Sequence, residues 1–210
     1  MLNTTTRYAL SKFHFSSRLY SHSPTCGFRN IDDAVSSFVT TLAKCHPPSV
    51  IEFNKILGSI VKMKEYRTAI SLFALMESRG LTPDVNSYNI MINGYCKNKK
   101  VDEALTLFKE MCRTNLVPDT ITYNSLIYGL CKSGRITCVQ DIVNEMHGNG
   151  QALNLITYSM LLDALCKAQH LDEVIALFQK IFNKGIRPDV FAYNSLLNVS
   201  CKGGRLKTED

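Results

Sequence analysis

Apolar and polar residues follow a pattern along this chain that returns every 35 residues. From Tyr123 the apolar positions fall at i, i+3, i+4, i+7 and i+8, which is the spacing of one face of an α-helix. A second stripe of the same kind runs from Val101 to Met111. The spacing therefore predicts two amphipathic helices in each block. The first-helix stripes are Tyr88, Met91, Ile92, Tyr95 and Cys96, then Tyr123, Leu126, Ile127, Leu130 and Cys131, then Tyr158, Leu161, Leu162, Leu165 and Cys166.

The blocks follow one another without gaps, which sets the predicted organisation of the chain. Complete repeats are predicted at 50–84, 85–119, 120–154 and 155–189, with a partial fifth repeat at 190–210. Residues 29–49 are interpreted as a degenerate half repeat that caps the N-terminal side, because Ala34, Val35 and Phe38 continue the second-helix stripe. Helix stop signals follow each second helix, with a glycine or asparagine suited to a left-handed cap. These are Gly80, Asn115, Gly150 and Gly185.

The repeat pattern determines the predicted fold class. Neither helix of a pair can bury its apolar stripe alone, whereas stacking successive pairs buries one continuous core. We therefore predict an all-α fold, a right-handed α-solenoid of helix-turn-helix 35-residue repeats. No segment approaches the roughly 18 apolar residues of a transmembrane helix, so no membrane insertion is expected.

One cysteine recurs at the same place in four blocks, at Cys96, Cys131, Cys166 and Cys201. This ladder is either a packing position or a site of metal or redox chemistry. The first block has Val61 there, and no pair has the close spacing of a zinc site. Equivalent helices lie about 8–10 Å apart, which exceeds the roughly 7 Å between Cα atoms that a disulfide allows. We predict buried packing, with no metal and no cofactor.

Positive charge is concentrated at the N-terminus. Arg7, Lys12, Arg18 and Arg29 precede the first acidic residue, so most of the net charge of +6 lies there. Residues 1–28 are predicted to be an organellar transit peptide, or else a disordered basic tail. The run Arg18-Leu-Tyr-Ser21 resembles a mitochondrial processing pattern. The predicted location is the mitochondrion, with the chloroplast as the alternative.

Several features together resemble pentatricopeptide repeat (PPR) proteins. They are the 35-residue period, the Tyr-Asn opening of Tyr123-Asn124, the Gly-Leu-Cys-Lys segment that ends at Lys132, and the Pro-Asp block end. The uniform spacing is similar to the P-type subclass, and residues 48–55 are similar to restorer-of-fertility-like members. The resemblance covers residues 50–210 closely. It implies single-stranded RNA as the partner, with one repeat contacting one base.

The resemblance also assigns the residues that contact RNA. The fifth and last residues of each block form a base-reading pair, and the second residue stacks on the base. By the family's code these pairs imply a core of 5′-U-U-C/U-G-pyrimidine-3′. The pairs are Asn54/Asp84, Asn89/Asp119, Asn124/Asn154 and Ser159/Asp189, with Asn194 left unpaired. The second residues are Ile51, Asn86, Ile121, Ile156 and Phe191, of which Asn86 departs from the apolar pattern.

Other interpretations of these residues stay open. Asparagine near a helix start also forms turns and caps. The lysine that recurs at positions 62, 97, 132, 167 and 202 either meets successive phosphates or is simply a solvated row.

For function, sequence-selective RNA binding in an organelle is favoured, in support of transcript processing, stability or translation. The alternatives are a protein–protein interaction scaffold and a non-functional truncated family member. We expect no catalysis, because the chain shows no nucleophile elbow, phosphate loop, carboxylate pair or histidine metal motif.

Overall fold

The structure is a computed structural model that describes residues 28–43, 49–185, 187, 190, 193–194 and 197. Most of the predicted transit peptide, 1–27, lies outside these residues. Within the described part of the chain every regular element is an α-helix. The helices are α1 Ile31–Leu42, α2 Val50–Lys62, α3 Tyr66–Ser78, α4 Val85–Lys97, α5 Val101–Arg113, α6 Thr120–Lys132, α7 Ile136–Gly148, α8 Leu155–Lys167 and α9 Leu171–Asn183.

The chain divides into two compact units, residues 1–94 and residues 95–210, with the division inside α4. In the first unit, α2 contacts both α1 and α3. In the second unit, α6 contacts α5, α7 and α8, and α8 contacts α9. A first helix in the second unit therefore packs on its own second helix and on the first helix of the next block.

Helices α2, α4, α6 and α8 begin 35 residues apart because a polar residue precedes each of them. The side chain of Ser49 accepts a hydrogen bond from the backbone N–H of Ile51 at 3.2 Å. Asp119 accepts from the N–H of Thr122 at 2.9 Å, and Asn154 accepts from that of Thr157 at 3.0 Å. These N-caps satisfy backbone donors that the helix itself leaves without acceptors. The last residue of a block is thus also the cap of the following helix.

The predicted left-handed caps after the second helices are confirmed. Gly80, Gly150 and Gly185 have φ between 70° and 76°, and Asn115 has φ 58°. The first helices end in a left-handed residue as well, which the sequence did not indicate, because three of the four are not glycine. The residues are Lys64, Lys99, Gly134 and Gln169, with φ from 60° to 73°. The bond from the N–H of Lys100 to the carbonyl of Tyr95, 2.9 Å, closes one such end.

Aromatic pairs join α1, α3, α5 and α9 to a ring that follows in the chain. In every pair a phenylalanine meets the edge of a ring 15 residues later, a geometry that contributes about 0.5–1.5 kcal/mol beyond area burial. Phe38 of α1 takes part on the same spacing, as expected for the half repeat. Val143 stands where the third complete block would need a phenylalanine. The ring-centroid distances are 4.7 Å for Phe38–Phe53, 5.9 Å for Phe73–Tyr88, 5.7 Å for Phe108–Tyr123 and 5.3 Å for Phe178–Tyr193.

The cysteine ladder lies against this core. Cys96 and Val61 are both buried, and Cys131 and Cys166 are half-buried. Burial raises the pKa of the Cys96 thiol to about 12 and that of Cys131 to about 11. Such thiols stay protonated at neutral pH and are poor nucleophiles and metal ligands. Among the described residues no three His, Cys, Asp or Glu side chains lie close enough together to hold a metal ion. Cys201 lies outside the described residues.

None of the described helices combines the length and the mean hydropathy that crossing a lipid bilayer requires.

Candidate nucleic-acid interface

In the first unit the predicted pair Asn54 and Asp84 is in direct contact. Asn54 lies in the first turn of α2, and Asp84 immediately precedes α4. The Nδ2 group of Asn54 donates a hydrogen bond to Oδ1 of Asp84 at 2.8 Å. Residues 30 positions apart in the sequence therefore meet through the side chains that the code assigns to one base.

A third side chain joins this pair. Ser87, in the first turn of α4, is fully buried. Its Oγ lies 2.7 Å from Oδ1 of Asn54 and 2.9 Å from Oδ1 of Asp84, and its backbone N–H donates to the same Asp84 oxygen at 2.8 Å. The backbone N–H of Asp84 donates back to Ser87 Oγ at 3.2 Å. The three side chains form one closed network.

The network changes the ionisation of Asp84. Burial by itself raises the pKa of this carboxyl group, because it disfavours the charged form. The hydrogen bonds from the Ser87 backbone, the Asn54 amide and the Ser87 hydroxyl act in the opposite direction and outweigh it, so the pKa of Asp84 is lowered below its ordinary value of 3.8. Asp84 is therefore an acceptor only, and the Asn54 amide must turn an N–H towards it.

The second unit repeats this arrangement with different side chains. Thr157, fully buried in the first turn of α8, places Oγ1 2.6 Å from Oδ1 of Asn124 and 3.0 Å from Oδ1 of Asn154. Thr122 makes the equivalent bonds to Asp119, at 2.9 Å from its N–H and 3.0 Å from Oγ1. The residue that the code pairs with Asp119 is Asn89, which is buried and belongs to the first unit. The assignment of Asn89 and Asp119 to one base is therefore based on the repeat spacing alone.

The predicted stacking residues are exposed although they are large and apolar. Ile51 is 62% exposed, Ile121 59% and Ile156 63%. Asn86, which replaces isoleucine in the second block, is exposed too. Each isoleucine lies three residues before the fifth residue of its block, one helical turn away. An apolar contact surface thus lies beside Asn54, Asn124 and Ser159, which suits a base that is stacked and hydrogen-bonded together.

A cleft of about 460 Å³ lies between α6 and α8 in the second unit. It brings together two predicted site residues, Ile156 and Ser159, and two residues of the lysine row, Lys132 and Lys167. An aromatic residue, Tyr128, and an acidic residue, Asp163, also line the cleft, and each occupies the ninth position of its block. The lining residues are Tyr128, Cys131, Lys132, Leu155, Ile156, Ser159, Met160, Asp163 and Lys167.

The lysines of this cleft have structural partners. Lys132 Nζ lies 5.7 Å from the centroid of the Tyr128 ring, and Lys167 forms a 2.5 Å ion pair with Asp163. Lys62, Lys97, Lys132 and Lys167 all end their helices, where a positive charge stabilises the carboxyl end of the helix dipole. The described lysines are exposed, so contact with phosphate is sterically open to them. Helix capping alone also explains the row.

Two of the predicted site residues lie outside the part of the chain that the structure describes. Asp189 and Phe191 are not among the described residues, and Asn194 is exposed. Ser159 lines the cleft, and its Oγ is buried without a hydrogen-bond partner among the described residues.

Sequence reasoning missed the buried hydroxyls of Ser87, Thr122 and Thr157. A signal was available, because a Ser or Thr stands two residues before the fifth residue in three successive blocks. It was overlooked because a hydroxyl at a helix start is usually explained as capping.

A comparison with known families identifies this arrangement. A sequence profile described as the PPR repeat family matches residues 48–97, 83–132, 118–167 and 154–202, which together cover well over half of the chain. The fold is an all-α helical-repeat solenoid, as predicted. The chain belongs to the PPR repeat family. The P-type and restorer-like subclasses stay predictions. A comparison with curated protein sequences gives no significant match.

Solved structures give the same fold. The pentatricopeptide repeat protein PPR10 from maize matches with a TM-score of 0.73 and 26% identity, over 83% of this chain and 25% of PPR10. PPR10 in complex with an 18-nt psaJ RNA element matches with a TM-score of 0.71 and 22% identity, over 85% and 26%. The PPR domain of Arabidopsis thaliana protein-only RNase P 1, in complex with tRNA, gives 0.63 and 18%, over 71% and 79%. The chain spans about a quarter of PPR10.

Proposed function

We propose that this chain binds single-stranded RNA with sequence selectivity and acts by occupying a transcript, without catalysis. The observation that carries the proposal is the contact of Asn54 with Asp84 beside the exposed side chain of Ile51. Within the network, the Asn54 amide uses one N–H and one oxygen lone pair. One N–H and one lone pair remain, and together they complement the Watson–Crick edge of a pyrimidine.

Each pair then contributes one base to the target. Asn54/Asp84 and Asn89/Asp119 select U, Asn124/Asn154 favours C with some U, and Ser159/Asp189 selects G. With Asn194 the proposed core is 5′-U-U-C/U-G-pyrimidine-3′. The apolar side chains of Ile51, Ile121, Ile156 and Phe191 stack on the bases, and Asn86 weakens stacking at the U-U step.

The cleft between α6 and α8 supports the fourth position of this core. A guanine that reaches Ser159 meets Ile156 and Met160 on one helix and Tyr128 on the other. Lys132 and Lys167 line the same cleft and supply positive charge for the flanking phosphates. Four complete repeats contact about four bases, so binding is weak and depends strongly on salt.

Binding of short labelled RNAs tests the proposal. Fluorescence anisotropy at low salt compares an RNA that contains the proposed core with a matched RNA in which the second U is A. The double variant Asn89→Ser, Asp119→Asn should bind the A-containing RNA better and the U-containing RNA worse. We expect about a fivefold change in the affinity ratio, at the low end of the effect of one base mismatch.

A matched control makes the same chemical changes elsewhere. The variant Asn183→Ser, Asp172→Asn alters two exposed residues of α9 and should leave the ratio unchanged. Equal affinity of the first double variant for both RNAs contradicts the base assignment. Absence of RNA binding by the wild-type chain contradicts the function and favours an interaction scaffold instead.

We extend the proposal to an organellar location, with transcript processing, stability or translation as the process served. The basic, acid-free composition of residues 1–28 supports the mitochondrion, and the chloroplast is the alternative. Import of the full chain into isolated plant mitochondria and chloroplasts, followed by protease protection, tests the location. Protection in neither organelle overturns it.

A further inference from the structure

The buried hydroxyl groups two residues before the fifth position form a recurring feature that the base-reading code does not include. Ser87 and Thr157 are both fully buried, and each lies within hydrogen-bonding distance of both members of the preceding pair. An ordinary helix cap would explain the contact with Asp84 or Asn154. It would not explain the shorter contacts with Asn54 and Asn124, which are 2.7 Å and 2.6 Å long.

The geometry points to these hydroxyls as positioning residues that fix which way the fifth-residue amide faces and so maintain its discrimination between U and C. This inference rests on the proposed RNA binding. A hydroxyl has one proton to donate. At 2.6 Å between Thr157 Oγ1 and the carbonyl oxygen of Asn124, that proton lies between the two oxygens. The amide oxygen of Asn124 is then held towards the interior.

Amide orientation matters because the two pyrimidines present opposite edges. Uracil offers an acceptor at O4 and a donor at N3, whereas cytosine offers a donor at N4 and an acceptor at N3. An amide held in one orientation presents its remaining donor and acceptor in a fixed order and distinguishes the two edges. An amide that turns over exchanges its oxygen and its nitrogen, and it accepts either base.

The two units should differ in how much they depend on the hydroxyl. In the first unit Asp84, an acceptor only, also receives an N–H from Asn54 and opposes inversion of the amide. In the second unit the corresponding residue is Asn154, whose Oδ1 already accepts the backbone N–H of Thr157. Removal of the hydroxyl should therefore abolish the discrimination between C and U at the third base and only weaken it at the first.

The test compares isosteric variants on a panel of RNAs with each base in turn at the third position. Thr157→Val keeps the volume of the side chain and removes the hydroxyl, and Thr157→Ser keeps the hydroxyl. We expect Thr157→Val to bring the C-to-U affinity ratio to about one, and Thr157→Ser to retain the wild-type ratio. Thr106→Val, an exposed change on α5, is the matched control.

A purely structural role gives a different result. Loss of a helix cap lowers the melting temperature and weakens binding of every RNA in proportion, without a change in the C-to-U ratio. An unchanged ratio in Thr157→Val, measured where the variant is folded, overturns the inference. An equal loss of selectivity in Ser87→Ala at the first base overturns the proposed difference between the two units.

A second measurement works without RNA. The side-chain amide protons of Asn124 give a resolved pair of signals in a ¹⁵N correlation spectrum when the amide is held in one orientation. We expect line broadening in Thr157→Val and none in Thr157→Ser. Sharp, unshifted signals in Thr157→Val overturn the positioning role. If the Asn124 signals broaden in Thr157→Val but the wild-type chain binds no RNA, the positioning role stands and the proposed function is contradicted.

Discussion

A Cβ atom placed on Gly129 would lie 2.6 Å from Sγ of Cys96 and 2.9 Å from its Cβ atom. Helix α6 therefore meets the end of α4 through a glycine, and the Cys96 side chain fills the space that a larger residue on α6 would need. Position ten of a block thus packs against position twelve of the block before it. Gly94 shows the same relationship in the first unit, where a Cβ atom would lie 3.3 Å from Val61 Cγ2.

Gly129→Ala should consequently destabilise the second unit, although alanine is the better helix former. Overpacking of a filled core costs about 1–3 kcal/mol, which exceeds the roughly 1 kcal/mol gained from helix propensity. The free energy of unfolding, measured by urea denaturation, should fall. Gly58→Ala is the control, because its nearest neighbour, Ile90 Cδ1, is 3.9 Å away. That variant should gain stability.

The cause can be isolated with a second substitution. Cys96→Ala removes the sulfur that the new methyl group would meet at 2.6 Å and keeps the Cβ atom at 2.9 Å, so the cost of Gly129→Ala should fall in part in the Cys96→Ala background. Equal costs in both backgrounds would show that the contact with the Cys96 sulfur is not the source of the destabilisation.

Two tyrosines at equivalent positions should respond in opposite ways to loss of the hydroxyl. The hydroxyl of Tyr123 accepts a 2.5 Å hydrogen bond from Nδ2 of Asn149, whereas the hydroxyl of Tyr158 is buried with no partner among the described residues. The residue equivalent to Asn149 in the next block is Lys184, which is exposed. Tyr123→Phe should destabilise by about 1 kcal/mol, and Tyr158→Phe should be neutral or stabilising.

Thermal unfolding, monitored by circular dichroism, measures the change in stability of both variants. Lys184→Asn then offers the missing partner, and in that background Tyr158→Phe should become destabilising. If Tyr158→Phe alone costs as much as Tyr123→Phe, the hydroxyl of Tyr158 has a partner that the fold does not account for.

The sequence was sufficient for the period, the two helices per block and the left-handed ends at Gly80 and Asn115, because each depends on local chemistry. It did not reveal the left-handed conformation of Lys99, because lysine carries no preference for it and the conformation accompanies the backbone hydrogen bond from Lys100 to Tyr95 at the helix end. It could place Asn54 and Asp84 in the same repeat, but not Ser87 between them. A contact between side chains 33 residues apart depends on how the helices stack, which periodicity alone does not specify.

Asp84 should make the stability of the first unit depend on pH. Its pKa is lowered in the folded chain, because the hydrogen bonds from Ser87 and Asn54 outweigh the opposing effect of burial. The stabilisation is therefore fully present above its ordinary value of 3.8 and is lost as the pH falls through the lower folded pKa. Asp84→Asn retains a capping side chain without the charge. Relative to wild type it should cost about 0.3–1 kcal/mol at neutral pH, the usual contribution of a negative charge at a helix N-terminus.

Urea denaturation at a series of pH values from 7 to about 2.5 measures the difference between the two proteins. Because other carboxyl groups titrate equally in both, that difference isolates Asp84. It should shrink towards zero at the acid end of the series, where Asp84 becomes protonated and resembles the amide. Ser87→Ala, which retains the backbone donor and removes the hydroxyl, should keep part of the dependence and move its midpoint to higher pH. A difference that stays constant across the series would mean that the Asp84 carboxylate gains no net stabilisation from its network with Asn54.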